Sequence, residues 1–395
     1  MKTVTLFADW DPIPDFKLGS KDIDGKLTYL GSKVWRNPRM EIVEKDIPVP
    51  GPTEVLIEVR ACGTCGSDVH MRQANDEGYI FYPGLTAFPV TLGHEFSGVV
   101  VEAGENAINK RTGEKYEVGE AVCAEEMIWC ANCKPCADGY PNHCERLQEI
   151  GFSIDGAYAK YIKIDTRYLW SLEGLRKKYG EEKMWLLGSL VEPTSVAYNA
   201  VIERGGGIRP GEHVVILGGG PIGIASCAIL RHSGANSVIL SEPSASRREM
   251  ALSMGATHTI DPMADDVAEA VLDITEGLGA KIILEATGLP SIVWTDIEKI
   301  IWEGKAVNTT VVVVARSDDK IPLTGEVLQV RRANVVGSQG HSGHGTFPNV
   351  ISCMSSGMDV SKLVTKQISL DAVEENCLML QTDRDEVKIT VTNFN

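Results

Sequence analysis

The chain has 395 residues, which at about 150 residues per domain suggests two or three domains, each large enough for its own core. Lys and Arg number 38 against 54 Asp and Glu, a net charge of −16 with no basic block, so neither nucleic acid nor an anionic membrane is an expected partner. Hydrophobic residues at 43% and charged residues at 23% exclude a largely disordered chain.

The stretch from Met1 to Asp9 meets an acidic residue before an apolar segment of export-signal length has formed, and the expected compartment is therefore the reducing cytoplasm. From Pro52 to Ile162 the apolar residues come in short runs broken by glycine, among them Val55 to Ile57, Val99 to Val101 and Tyr158 to Ile162. That pattern predicts an irregular, strand-rich domain with long loops. Three clusters of chemistry-bearing residues are scattered through it: Cys62-Gly63-Thr64-Cys65-Gly66-Ser67-Asp68-Val69-His70, then Gly93-His94-Glu95, then Val191-Glu192-Pro193. One thiol, one imidazole and one or two carboxylates can form a mixed zinc shell that leaves a position for water or substrate. Taken singly, His94 reads equally well as a core histidine, Cys62 and Cys65 as small buried hydrophobes, and Glu192 as a solvated acid at a helix start.

Five of the ten cysteines, Cys123, Cys130, Cys133, Cys136 and Cys144, fall within positions 123–144. The last four make a run with two, two and seven intervening residues. Four thiolates close a tetrahedral zinc shell with no open position, so such a site staples a loop and performs no chemistry. The rival is an iron–sulfur cluster, but in the bacterial ferredoxin run the fourth cysteine follows after three residues and precedes proline. Here Glu145 follows Cys144, and structural zinc is preferred over a cluster, disulfides or unligated thiols.

From about residue 194 the grain changes. Six strand-like runs, Val214 to Leu217, Val238 to Leu240, Thr257 to Ile260, Ile282 to Glu285, Thr310 to Val314 and Asn334 to Val336, alternate with helix-like segments. They fit an α/β unit built on a doubly wound, six-stranded parallel sheet of the Rossmann kind. The uncharged stretch His213 to Leu230 is too glycine-rich for a spanning helix and reads as strand, turn and helix. It carries G-x-G-x-x-G: Gly218 for the tight turn, Gly220 for close approach of backbone to a pyrophosphate, and Gly223 for helix–strand packing. A glycine triad alone marks only a turn, but the second strand ends in Glu242, 19 residues after Gly223, where a carboxylate accepts from adenosine ribose hydroxyls. Glu242 favours NAD over the 2′-phosphate of NADP, with Arg247 and Arg248 as nearby guanidinia that could offset it.

Helices are predicted from Ser244 to Met254, capped by serine and stopped by Gly255, and from Ser291 to Trp302, with Ile292, Ile297, Ile300 and Ile301 on one stripe. The run Thr310 to Val314 fits either a sheet edge or a central strand. Residues 337–395 are too few for a third domain and are expected to rejoin the first, ending in a strand over Val387 to Val391.

The order of Cys65-Gly66-Ser67-Asp68-Val69-His70, Gly93-His94-Glu95, the four-cysteine lobe and Gly218 to Gly223 resembles the zinc-dependent medium-chain dehydrogenases over nearly the whole chain. Glu192 stands where ethanol-type members have a cysteine ligand, so the chain is similar to the polyol branch of sorbitol and threonine dehydrogenases. Three further stretches, Asp9 to Trp35, Val191 to Asn199 and Gly337 to Gly345, resemble the inosose dehydrogenases of bacterial inositol breakdown.

The resemblance implies a GroES-like catalytic domain over 1–193 and 337–395, with a structural zinc lobe at 123–146, and a Rossmann domain over 194–336. It implies NAD and two Zn²⁺ per subunit. Cys65, His94 and Glu95 are then catalytic zinc ligands with Glu192 permanent or exchanging, and Cys130, Cys133, Cys136 and Cys144 hold the structural zinc. Asp68 orients His94, Ser67 and His70 relay the alcohol proton to solvent, and Ile222, Glu242 and Arg247 join the glycines in holding the nucleotide. Because Cys65 and Glu95 already neutralise Zn²⁺, a permanently bound Glu192 weakens the Lewis acid, which favours transient ligation. The implied reaction is hydride transfer to NAD from a secondary alcohol of a cyclic polyol or inosose, scyllo-inosose oxidised at C3 to a diketo inositol, by a homo-oligomer (dimer or tetramer). Sorbitol or threonine is the alternative substrate, and a non-catalytic nucleotide-binding protein the remote one. The roles of His341 and His344 stay open.

Overall fold

In the computed structural model, which describes every residue except Asp318, Ser342 and Arg384, the chain divides into two units. One comprises Met1–Glu192 with Val364–Asn395, and the other Pro193–Leu363. The segment 337–363, expected in the first unit, therefore belongs to the second, and only residues from Val364 onward return. Its helix Thr346–Ser356 buries Phe347, Val350, Ile351 and Met354, which supplies the apolar anchor that the glycine-rich loop before it lacks. Ser342, within the sequence stretch Gly337 to Gly345, lies outside the described residues.

The first unit is built on glycine-punctuated β-runs. Strand Glu54–Gly63 is central: it pairs antiparallel with Glu95–Ala103, Tyr161–Asp165 and Lys388–Asn393, and the sheet extends through Ala121–Ala124 and Val364–Ser369. A smaller sheet joins Lys2–Trp10 to Trp35–Glu44 and Val90–Thr91. Inward-facing Val55, Ile57, Val59, Phe96, Val100, Ile389 and Val391 share one core with Leu6, Trp35 and Val90 from the smaller sheet.

The second unit carries all six expected strands in a parallel sheet ordered 258–260, 237–241, 213–217, 282–285, 310–313, 334–337. The order reverses beside His213–Leu217, the crevice at which such sheets bind ligands. Thr310–Val313 has a neighbour on each side and is an interior strand, which resolves its double reading. Helix Ala245–Ser253 is capped by Ser244, whose hydroxyl accepts from the Arg247 N–H, and Gly255 follows at φ 112°.

Helix Pro290–Glu303 differs from expectation at Ile292, which is 68% exposed. A helix turns about 100° per residue, so Ile292 sits about 140° from Ile297, whereas Trp294, Ile300 and Ile301 lie within about 60° of it. Trp294 takes the buried place. Among the described residues no helix is long and apolar enough to cross a membrane.

Candidate active site

Gly63 and Glu95 are partners in the antiparallel register of the first unit's main sheet. A Cβ on Gly63 would stand 2.3 Å from Glu95 Oε2, so glycine is what leaves room for that carboxylate. Two residues on, Cys65 caps helix Gly66–Arg72, and its N–H donates to Asp68 Oδ2 at 2.9 Å. Gly93, at φ 89° and tight against the Tyr158 backbone, delivers His94 to the same place. Two segments distant in sequence, one carrying Cys65 and the other the adjacent His94 and Glu95, thus bring the Cys65 thiol, a His94 ring nitrogen and a Glu95 oxygen within 4.8 Å of one another. Soft sulfur, imidazole and carboxylate together are a zinc donor set, and three protein ligands leave a fourth position free.

The surroundings fit that use. His94 is 3% exposed and Asp68 fully buried, with Nδ1 and Oδ1 3.9 Å apart and neither atom hydrogen-bonded among the described residues. Burial alone would lower the His94 pKa, but Asp68, Cys65 and Glu192 outweigh it and push it well above the ordinary value. The Asp68 pKa is raised by burial, against the opposing pull of His94 and the Cys65 N–H. The Tyr158 hydroxyl lies 3.3 Å from Asp68 Oδ2 and 3.0 Å from Thr64 Oγ1, and the His94 ring packs against Phe152 at 4.7 Å between centroids. On helix Gly66–Arg72, Ser67 Oγ is buried with no hydrogen bond among the described residues, while His70, three residues on and so on the same face, is exposed.

Glu192 is buried in the first turn of helix Val191–Tyr198, outside the three-ligand set but close enough to raise the pKa of both His94 and Lys388. A carboxylate oxygen of buried Glu126, which the sequence did not single out, lies within 4.8 Å of one from Glu192.

Lys388 was also missed. Its ammonium, 2% exposed, donates to both Glu95 oxygens at 2.7 Å and to the Thr64 carbonyl at 3.0 Å. The available signal was one lysine inside the apolar run Val387 to Val391, a position where burial demands a counter-charge.

The four thiols of the cysteine-rich loop, Cys130, Cys133, Cys136 and Cys144, also converge within 4.8 Å. Cys133 and Cys144 sulfurs are 3.8 Å apart, and a regular tetrahedron with Zn–S of about 2.3 Å has edges of about 3.8 Å. Cys144 Sγ accepts from the Cys130 and Arg146 N–H groups at 3.3 Å, and the Asn132 N–H leads in holding the Cys130 pKa down to about 6. Leu85, Met127 and Leu147 are buried with Cys133 and Cys144, and Leu27, Tyr29 and Trp129 pack partly buried against them. None of the ten cysteines is in a disulfide, and of those outside the two ligand sets Cys62, Cys123, Cys227 and Cys377 are buried and Cys353 is half-buried.

In the second unit, Gly218 at φ 105° makes the turn after His213–Leu217. Gly220 caps helix Pro221–His232, and a Cβ there would meet no protein atom within 4 Å. Gly223 packs so close that a Cβ would stand 2.0 Å from the Gly218 carbonyl. The open space at Gly220 lies at a helix N-terminus, the kind of place that suits an anion. Glu242, buried at the end of the second strand, accepts from the Gly219 N–H at 2.7 Å and the Ser244 N–H at 2.9 Å. Ile222 and Arg247 are half-buried in the first turns of their helices. The Arg248 guanidinium is occupied by the Glu242 and Pro243 carbonyls and Asp261.

Residues 51–174 match the alcohol dehydrogenase GroES-like domain, and residues 221–356 match the zinc-binding dehydrogenase domain. The chain is 63% identical over 394 residues, all of both chains, to the scyllo-inosose 3-dehydrogenase of Thermotoga maritima. The chain belongs to the zinc-binding dehydrogenase family. Within it, an L-threonine 3-dehydrogenase of Caldanaerobacter subterraneus is 32% identical over 88% of this chain and 94% of that one. Among solved dehydrogenase structures, an alcohol dehydrogenase of Thermotoga maritima superposes with TM-score 0.98 at 62% identity, over 99% of this chain and 100% of that one. The 2R,3R-butanediol dehydrogenase of Bacillus subtilis gives 0.75 at 30%, over 90% and 96%. This dehydrogenase is therefore an enzyme that uses a nicotinamide cofactor and zinc. His341 is buried against Phe347 and His344 exposed at φ 52°, both in the second unit.

Proposed function

We propose that this dehydrogenase oxidises a secondary alcohol of a cyclic polyol or inosose with NAD, and that scyllo-inosose, oxidised at C3 to a diketo inositol, is its substrate. The observation that carries this reading is the full-length identity of 63% to a scyllo-inosose 3-dehydrogenase. We assign two zinc ions, one to Cys65, His94 and Glu95 with Glu192 exchanging, the other to Cys130, Cys133, Cys136 and Cys144. When bound, zinc supplies Lewis-acid stabilisation of the ionising alcohol and the nicotinamide supplies the hydride acceptor.

The chain's own residues do the rest. Asp68 fixes the His94 ring, the common device for orienting a ligating imidazole. Ser67 takes the substrate hydroxyl proton into a relay whose outer member, His70, faces solvent. Gly218, Gly220, Ile222 and Gly223 bind the dinucleotide at the helix end, with Arg247 beside it. Glu242 supports NAD: its carboxylate is ready for two ribose hydroxyls and repels a 2′-phosphate, and the engaged Arg248 does not relieve that repulsion.

Initial rates of NAD reduction with scyllo-inosose, myo-inositol, sorbitol and L-threonine test the substrate. The expected result is a kcat/KM for scyllo-inosose at least about tenfold above the others, with NAD preferred to NADP. A preference for L-threonine or sorbitol overturns the substrate, and a preference for NADP overturns the role of Glu242.

A further inference from the structure

Lys388 and Glu95 form a buried ion pair at the metal-ligand set, and nothing in the stability of the fold requires a charge in that strand. The pattern Val387, Ile389 and Val391 is apolar, and replacing a buried pair by apolar residues of similar volume is often neutral or stabilising. The ammonium is fully engaged: its three donors meet Glu95 Oε1, Glu95 Oε2 and the Thr64 carbonyl. The carboxylate is not: each oxygen accepting from Lys388 keeps a further lone pair, and one Glu95 oxygen lies within 4.8 Å of the Cys65 thiol and a His94 ring nitrogen.

A carboxylate shared between a metal and an ammonium is a weaker donor than one bound to the metal alone, since both cations draw on the same charge. The count of formal charge then changes. Cys65 thiolate and Glu95 carboxylate cancel a dication, Glu192 adds a negative charge, and Lys388 restores neutrality. We propose that Lys388 is a positioning residue that holds Glu95 as a shared, weakened ligand and so preserves the Lewis acidity of the catalytic metal when Glu192 is near. The proposal rests on the zinc-site reading given above.

The test compares full-length wild type with Lys388→Met, Lys388→Gln, Lys388→Arg and Lys388→Met combined with Glu95→Gln. Zinc affinity is measured by competition with a chromophoric chelator, alongside the visible spectrum of the Co²⁺ form, thermal stability and NAD-linked kcat. Removing the cation is expected to tighten the weaker of two zinc sites at least about tenfold, to alter the Co²⁺ ligand-field bands, and to lower kcat at least about tenfold. Lys388→Arg is expected to stay within about threefold of wild type on both counts, because it keeps the charge. In the double variant the gain in affinity disappears, since the carboxylate that Lys388 restrains is gone. Lys388→Gln keeps donors for Glu95 and carries the same expectation if Lys388→Met does not fold. Unchanged or weaker zinc binding in a folded, uncharged variant overturns the proposal. A wild-type chain that binds a single zinc overturns the underlying site reading instead, and with it the proposal.

Discussion

The Asp68 carboxylate and the His94 imidazole face one another at 3.9 Å in full burial, each with one polar atom left without a hydrogen bond among the described residues. Such a pair is poised to shorten once the opposite ring nitrogen carries a metal and Nδ1 becomes the proton donor. Asp68→Asn keeps the shape and loses the charge. It is expected to weaken zinc binding at the Cys65, His94 and Glu95 site about 10- to 100-fold while leaving the four-cysteine zinc in place, as read by metal analysis after graded chelation.

The two later glycines of the nucleotide turn should fail in different ways. A methyl group at Gly220 meets no protein atom, so Gly220→Ala folds with near wild-type stability but raises the Kd for NADH at least about tenfold, measured by fluorescence titration. A methyl at Gly223 collides with the Gly218 carbonyl, so Gly223→Ala lowers the thermal midpoint before any question of binding arises. Equal behaviour of the two variants would refute the distinction between cradle and packing glycine.

Cys65→Ser and Cys133→Ser separate the two metal sites. The first removes the thiolate of an open site and is expected to abolish turnover with little loss of stability. The second removes one of the four thiolates of the closed site and is expected to cost several kcal/mol of stability in denaturant unfolding.

With zinc stripped by chelator, the loop thiols should differ in reactivity. Backbone donors, led by the Asn132 N–H, hold the Cys130 pKa down to about 6, whereas burial pushes Cys136 up to about 12. At neutral pH Cys130 is the thiolate and Cys136 the thiol, so iodoacetamide labels Cys130 first. The labelling rate at Cys130 falls as pH drops through about 6, and mass spectrometry of timed digests reads both sites.

What was legible in the sequence was geometry set by local spacing. The four cysteines lie within fifteen residues, and G-x-G-x-x-G stands between an apolar strand and an apolar helix, so a few neighbouring residues define each device. The six parallel strands were legible for the same reason, as buried strands are continuous apolar runs. Lys388 was not, because its partner Glu95 is 293 positions away and nothing but the register of the sheet brings them together. Ile292 was misplaced because isoleucine marks an apolar stripe only when its angle agrees, and Trp294 occupied the face instead. The boundary near residue 337 failed because the segment 337–363 opens on a glycine-rich loop that gives no hint of the anchoring helix beyond it.

The return of Val364–Asn395 to the first unit also sets an order of assembly during synthesis. The unit Pro193–Leu363 is continuous and can close as soon as it leaves the ribosome, and the four-cysteine loop has all its ligands within fifteen residues. The pairing of Cys62 with Val391 and of Gly63 with Thr390 must wait for a loop of roughly three hundred residues to be made and closed, an intrinsically slow kind of contact. Until that last pairing forms, Glu95 has no Lys388 beside it. The four-cysteine loop and the glycine-rich turn are thus complete in a growing chain well before Glu95 can meet Lys388.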